Sequence, residues 1–453
     1  MSLEETAGPT RTGTDLKRPI TSLWAEVSGT DLRLLSLGLL TFAVMLHIGY
    51  ADPRSAAPLA GAALLAIASL RRRSGPAHTA ALVAATTLIV VSSALFEPFW
   101  VYVNPIELDV MLGLGLLAFC LARSEKQRVT VALLVATAHG LIVMTALRWG
   151  YERIDVFSVV QDSSGILLHG GNPFAHLYAS GSDLRSIPYG PSIPLLAAPG
   201  RLLGDVRLMS LVATVVMGAA LVVGAGRGAA LSKSKTLLLC ALLPLNAAMI
   251  RNAWVDIYAL AGIALWWSAR DRHRALAITA LALAFGVKSY ALLPLLLPFV
   301  WVPRARREII TATGIALAVT LGFVINSGLT IYINGLVDVS VGRFAAVSDS
   351  LSTFGFANLW ASWRPALWIG VPCIFVVISL TCWRRPRDWG DLWCGAAVIG
   401  MAACFFGPPN GAYLNYWFYP ATLLLLSIVG AELPLHTEST PPRKVIATAQ
   451  RPA

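Results

Sequence analysis

The chain has 453 residues, 56% of them hydrophobic and only 13% charged, with a formal net charge of +11. A water-soluble globular domain carries about a quarter of its residues as charges, so this composition excludes one, and many apolar runs approach the ~20 residues that cross a bilayer. The positive charge does not point to nucleic acid, because the arginines and lysines stand in short clusters between apolar runs, where membrane topology puts them.

The N-terminal segment 1–33 is polar and unlike a signal peptide, since the first apolar run begins only after Arg33. Apolar spans are expected at 34–50, 56–70, 78–96, 106–122 and 129–147. A polar stretch, 148–187, comes next, and then a proline-rich apolar segment, 188–204. Further spans are expected at 208–226, 236–250, 254–268, 275–287, 290–302, 309–326, 364–382, 391–407 and 412–430, with a second long loop at 327–363. The tail 431–453 is rich in proline and threonine and is expected to be disordered and cytoplasmic. The sum is an all-α polytopic membrane protein of roughly 13–14 transmembrane helices. Five of the six cysteines lie in or at the ends of apolar runs, and they show no zinc or CxxC spacing, so they read as packing residues.

Six basic connectors fix the parity: 71–76, 122–128, 226–235, 269–274, 303–308 and 383–388. The positive-inside rule puts all of them in the cytoplasm. That holds if 188–204, with Pro188, Pro191, Pro194 and Pro199, does not cross fully and is instead re-entrant or lies along the outer surface. It also requires 275–302 to be a helical hairpin with Lys288 and Ser289 at its outer tip. The polar loop 148–187, Arg251, Asn252, Asp256, Lys288 and the loop 327–363 then share the outer face.

On that face several side chains carry chemistry, each with a plainer reading beside it. Asp155, close to the end of a span, can serve as a general base towards a hydroxyl, or it is a solvated aspartate paired with Arg148 or Arg153. Lys288 sits in the middle of an apolar stretch, where a charge costs about 2.5–3.5 kcal/mol to insert. It is a cation awaiting an anion such as a lipid phosphate, or an interface lysine whose ammonium reaches water. Arg251 can grip a phosphate bidentately, or it pairs with Asp256. His169 and His176 either assist or are surface residues. Arg343 and the aromatic, polar run 349–360 either hold a sugar or form an interface belt.

Three stretches together resemble a known family. Asp155 is followed by "SSGILLHGGNPF" (163–174) and then by "IPYGPSIPLLAAP" (187–199). "AFGVKSYALLPLLLP" (284–298) is similar to a lysine-led proline and leucine hairpin, and "YLNYWFYPATLLL" (413–425) is a weaker echo. This order resembles the GT-C superfamily of integral membrane glycosyltransferases, above all its actinobacterial polyprenol-phosphate-mannose-dependent, phosphatidylinositol mannosyltransferase-like branch. Phe174 stands at an aromatic position of the motif, and "PYGP" (188–191) replaces a "YPP" core. The resemblance covers roughly 148–430, and the first four spans have no counterpart in a typical member.

The resemblance implies a GT-C-like helical bundle: N-terminal helices 34–147 additional to the family core, a first catalytic outer loop 148–207, and a core 208–430. It implies transfer of a sugar, mannose or arabinofuranose being the usual ones, from a polyprenyl-phosphate donor to a glycolipid or cell-envelope glycan at the outer face of the plasma membrane, with inversion. Asp155 would be the catalytic base, and Lys288 with Arg251 would hold the donor phosphate. His169, Asn172, Tyr189, Asp256, Tyr290 and Arg343 would bind substrate, with no metal and no cofactor. Two other classes stand beside it: a transporter or flippase of a lipid-linked sugar, which would need charged or unwound sites near the midplane, and a non-catalytic assembly subunit.

Overall fold

The computed structural model describes residues 26–47, 56–96, 105–146, 155–180, 183–227, 230–325, 332, 386–406 and 414–435. Arg343, the expected span 364–382, nearly all of the loop 327–363 and the tail beyond 435 lie outside the described residues.

The fold is a helical bundle. The first helices are α1 (Gly29–His47), α2 (Ala56–Arg71), α3 (Thr79–Phe96), α4 (Pro105–Leu121), α5 (Glu125–Ala146) and α6 (Asp155–Leu168). Then come α7 (Ser192–Leu202), α8 (Arg207–Ala225), α9 (Lys233–Leu242), α10 (Pro244–Arg251), α11 (Asp256–Ala269) and α12 (Arg274–Phe285). A 3₁₀ segment, Ser289–Leu295, runs into α13 (Leu296–Trp301), followed by α14 (Pro303–Ile325), α15 (Trp389–Phe406) and α16 (Leu414–Val429). Local chemistry sets several starts. Ser28 and Asp31 exchange capping bonds ahead of α1, and Ser124 and Gln127 do the same ahead of α5, both reciprocal capping boxes.

Three described helices are long and apolar enough to cross a membrane, within Glu125–Met144, Arg207–Ala225 and Pro303–Ile325, and seven further apolar helices are shorter. Most described helices match the expected spans to within a few residues, and two expected spans are broken at prolines. The expected span 236–250 is two helices, broken at the extended Leu243 because Pro244 has no N–H to donate. The expected span 290–302 is likewise part 3₁₀, with Pro294 inside that segment. An antiparallel β-hairpin, Leu177–Ser180 with Asp183–Ser186, is an addition to the all-α expectation.

The basic connectors meet at one end of the bundle. Arg227 bonds Asp271 at 3.1 Å and the Ser268 carbonyl at 2.7 Å. Arg304 reaches the Arg270 carbonyl at 2.6 Å and pairs with Glu308, whose other oxygen accepts from the Trp266 ring nitrogen. The Arg270 guanidinium lies 4.6 Å from the Trp389 ring centroid. Glu125 accepts from the Ser234 amide and hydroxyl, both at 2.8 Å, and Ala77 N–H donates to Ala230. Ser74 donates to Asp388, and the Arg387 guanidinium donates to the carbonyls of Leu70 and Arg72. Because Arg274 and Pro303 both open from this end, the chain between them doubles back, as the parity of charges predicts. Helix α14 runs about 28 Å at 1.5 Å per residue from Arg304, in this network, to Phe323 at the opposite end.

The additional helices are tied to the end of the chain. The fully buried Arg33 donates to Asp391 at 2.6 Å and to the Ser427 carbonyl at 3.0 Å, joining α1 to α15 and α16. Ser69 of α2 meets Cys394 at 3.2 Å.

Between α1 and the connector before α3, His78 Nδ1 lies 2.6 Å from Asp31 Oδ2, and His78 N–H donates to Asp31 Oδ1 at 2.8 Å. The hydrogen bond to Asp31 raises the His78 pKa above its ordinary value. A raised folded pKa gives stability that is full below the unfolded value and fades as pH climbs through the folded one. The gap in melting temperature between wild type and His78→Ala should therefore narrow from pH ~6 to pH ~9, around the unperturbed histidine value of about 6.5. A gap independent of pH in a thermal melt would show that the ion pair contributes nothing.

Candidate functional site

At the end opposite the basic connectors, the polar loop is built by its own turn chemistry. Helix α6 opens at Asp155; the side chain of that residue is outside the described set. The helix closes at His169, whose Nδ1 lies 2.7 Å from the Gly165 carbonyl. Gly170 takes φ +76°, a left-handed conformation that glycine adopts without steric cost, and Gly171 N–H returns to the Ile166 carbonyl at 2.9 Å.

Asn172 then caps a single 3₁₀ turn, Pro173–Ala175, by accepting from Phe174 N–H at 3.0 Å, and its amide donates to the Phe323 carbonyl at 2.8 Å. Phe174 is buried edge-on to Phe323 and Tyr332, with ring centroids 5.9 and 5.4 Å away. Tyr178 donates its hydroxyl to Pro173. The Gly-Gly-Asn-Pro-Phe turn is thus an anchor that fastens the loop to the end of α14. The contacts found for His169 and Asn172 serve that anchor.

The proline-rich segment is fastened differently. Gly190 N–H donates to the Val287 carbonyl at 3.0 Å, and Ser192 N–H donates to the Gly286 carbonyl at 3.0 Å. These two bonds satisfy backbone groups that break from helix in apolar surroundings. They demand glycine at 190, where a Cβ would lie 2.1 Å from the Gly286 carbonyl oxygen; a Cβ on Gly286 would meet the Ser192 hydroxyl at 2.1 Å, which a rotation of that side chain relieves.

The clasp brings Tyr189 to Lys288, whose Nζ lies 5.6 Å from the tyrosine ring centroid, a cation–π distance. Lys288 in turn reaches both carboxylate oxygens of Asp256 at 3.1 Å. The lysine side chain is 10% exposed and the aspartate fully buried. Asp256 is the first residue of α11, where the positive end of the helix dipole also favours a carboxylate. Arg251 ends α10 just before it, and the turn between them is tight, with Ala253 at φ +51°.

The structure therefore brings Tyr189, Asp256 and Lys288 together, and it corrects one sequence expectation. Lys288 is not a water-exposed tip but half of a buried ion pair, because α11 presents a carboxylate at its depth. Asp256, expected as an alternative partner for Arg251, binds Lys288. The side chains of Asp155 and Tyr290 and the whole of Arg343 lie outside the described residues. The residues that sequence reasoning misses are Gly190 and Gly286. Their only sequence signal is glycine inside segments whose prolines already break the helix.

Chemically, this is an ammonium ion in a low-dielectric site, its charge neutralised by one carboxylate and its position set by an aromatic face. Such a lysine can accept an anion when the anion competes with or shares the carboxylate. Comparison with protein-family models, curated proteins and solved structures finds no match to this chain.

Two outcomes test this geometry. Lys288→Ala removes the ammonium that pairs with the buried Asp256, so it should destabilise the protein by about 3–5 kcal/mol. Adding Asp256→Asn should restore most of that stability, as read by thermal unfolding in detergent. Gly190→Ala should also lower the melting temperature, and in a Cys-free background a single cysteine at position 189 should become more reactive to a water-soluble maleimide as the clasp opens. Unchanged melting and labelling would show that the clasp does not hold the segment.

Proposed function

We propose that the protein is an integral membrane glycosyltransferase of the plasma membrane, taking a sugar from a polyprenyl phosphate and passing it to a glycolipid or cell-envelope glycan at the outer face. The observation that carries this reading is the meeting of residues 190–192 with residues 286–287 through two backbone hydrogen bonds. These residues lie within two of the three stretches that carry the resemblance to GT-C enzymes, 155–199 and 284–298, which are distant in sequence. The gathering of the basic connectors at the opposite end agrees with a site that faces outward when the positive-inside rule is applied.

In this reading the acceptor hydroxyl oxygen attacks the anomeric carbon and the bond from that carbon to the phosphate oxygen breaks. The leaving phosphate keeps the bonding electrons. Asp155 takes the hydroxyl proton, and the face of attack inverts the anomeric configuration. Lys288 stabilises the charge that grows on the departing phosphate, with Asp256 holding the ammonium in place and Arg251 as a second cation. Phosphate competes with Asp256 for Lys288, and the balance shifts toward the phosphate most as the bond breaks and its charge grows, which is the differential stabilisation that catalysis needs.

The buried Lys288–Asp256 pair also favours a second reading, a transporter of the same lipid-linked sugar, since charge pairs inside a bundle commonly mark translocation paths. One experiment separates the two. Purified protein in sealed vesicles would be given a polyprenyl-phosphate sugar and an acceptor lipid, and both sugar transfer and movement of the donor between leaflets would be measured. Transfer is expected, and Asp155→Asn should lower it by on the order of 10²–10⁴ with donor binding nearly intact. Movement of the donor without any glycosylated product would overturn the proposal in favour of transport. Wild-type turnover in Asp155→Asn would remove the catalytic assignment.

A further inference from the structure

Helix α7 has two different neighbours. Its first residue, Ser192, is bonded to Gly286 beside Lys288. Its inner side, Ile193, Pro194, Ala197 and Gly200, is buried. Its other side exposes Leu195, Pro199 and Leu202, which fall on one stripe at helical spacing, with Leu203 just beyond. Leu202 and Leu203 are 72% and 74% exposed, among the most exposed large apolar residues described.

The helix cannot cross a bilayer. Its 11 residues span about 16 Å at 1.5 Å each, roughly half of the ~30 Å hydrocarbon core. Its depth is set by the helix after it. Beyond Gly204, at φ +98°, the chain turns into α8, Arg207–Ala225, one of the three helices long and apolar enough to cross. Helix α8 exposes Val212, Val215 and Val223 along one stripe, as a lipid-facing span does. Arg227, just past its far end, belongs to the network of basic connectors, so Arg207 marks the boundary at the site end.

The Leu202–Leu203 tip is a few residues before that boundary. Arg201 is exposed beside it, and Arg207 is held there by Asp205 and by the Phe157 ring, 5.4 Å away. Leucines flanked by guanidinium groups at this level match the two layers of a membrane surface: acyl chains for the leucines, phosphates for the arginines.

We propose that α7 is an interfacial anchor whose leucine stripe and Leu202–Leu203 tip insert into the phospholipid leaflet at the site end of the bundle. The occupant of this exposed face is the bilayer itself. The same helix is bonded at its other end to the turn that carries Lys288, so the leaflet surface and the ion pair are joined by one short rigid element. The assignment stands whether the protein transfers or transports a sugar.

The test uses the full-length protein in a Cys-free background, in phosphatidylcholine nanodiscs. A fluorophore sensitive to polarity is attached to Leu203→Cys, with Arg272→Cys in a basic connector as the water-exposed comparison. Nitroxide lipids place quenchers near the head group or near the chain end, and iodide quenches from water. The expected result at position 203 is blue-shifted emission relative to position 272, quenched most strongly by the head-group nitroxide. Water-like emission with iodide quenching equal to that at position 272 would overturn the proposal, as would strongest quenching from the chain-end nitroxide. If Leu203→Cys does not yield folded protein, Leu195→Cys on the same stripe makes the same measurement, with the same two outcomes against the proposal.

Discussion

The two backbone bonds between residues 190–192 and 286–287 are the constraint on which the site depends. In apolar surroundings an N–H or carbonyl without a partner costs several kcal/mol, so a chain leaves the helix only where something else accepts its backbone groups. Here both irregular segments solve the problem at once by pairing with each other. Close approach requires that no side chain stands at residue 190, which Gly190 meets. Once the pairing is made, Tyr189 and Lys288 have little freedom to be anywhere but together. Asp256 then settles the lysine's charge from the neighbouring helix.

Charge sorts the rest of the bundle. Arginines of the connectors do not merely lie at one end; they close it, with Arg304, Arg270 and Arg227 tying three connectors through Asp271, Glu308 and backbone carbonyls. Glu308 is fully buried, and its partners include the Trp266 ring nitrogen, so this end is held by a buried polar network under a tryptophan cluster. Among the described residues, the opposite end is held by a glycine turn, one asparagine and a clasp.

Much of this is legible in the residues. The connectors, and the doubling back of 275–302, come from counting arginines, because insertion obeys charge more strictly than it obeys helix propensity. The incomplete crossing of 188–204 comes from four prolines. Depth relative to neighbours is what a sequence does not carry. Lys288 looks water-facing from its own segment, since nothing near it in sequence balances its charge; its partner is 32 residues away on another helix. The break at Leu243 is visible as Pro244, yet the run around it stays apolar and reads as one span. The short β-hairpin escapes a sequence reading although Gly181-Ser182 has the composition of a two-residue turn, because its strands are too short for alternation to register. Asp155 stands out by its place after a span, and the structure adds that it opens a helix.

The tie from Arg33 to Asp391 has a bearing on biosynthesis. The guanidinium enters the membrane 358 residues before the carboxylate that neutralises it. At translation rates of about 5–20 residues per second, that is a wait on the order of 20–70 s. During it, α1 must keep its arginine at the membrane surface or lend it to a temporary acceptor such as a lipid phosphate. Helices α1 and α2 thus lack these ties until α15 and α16 emerge from the ribosome. The order in which this protein assembles is not the order in which it is made.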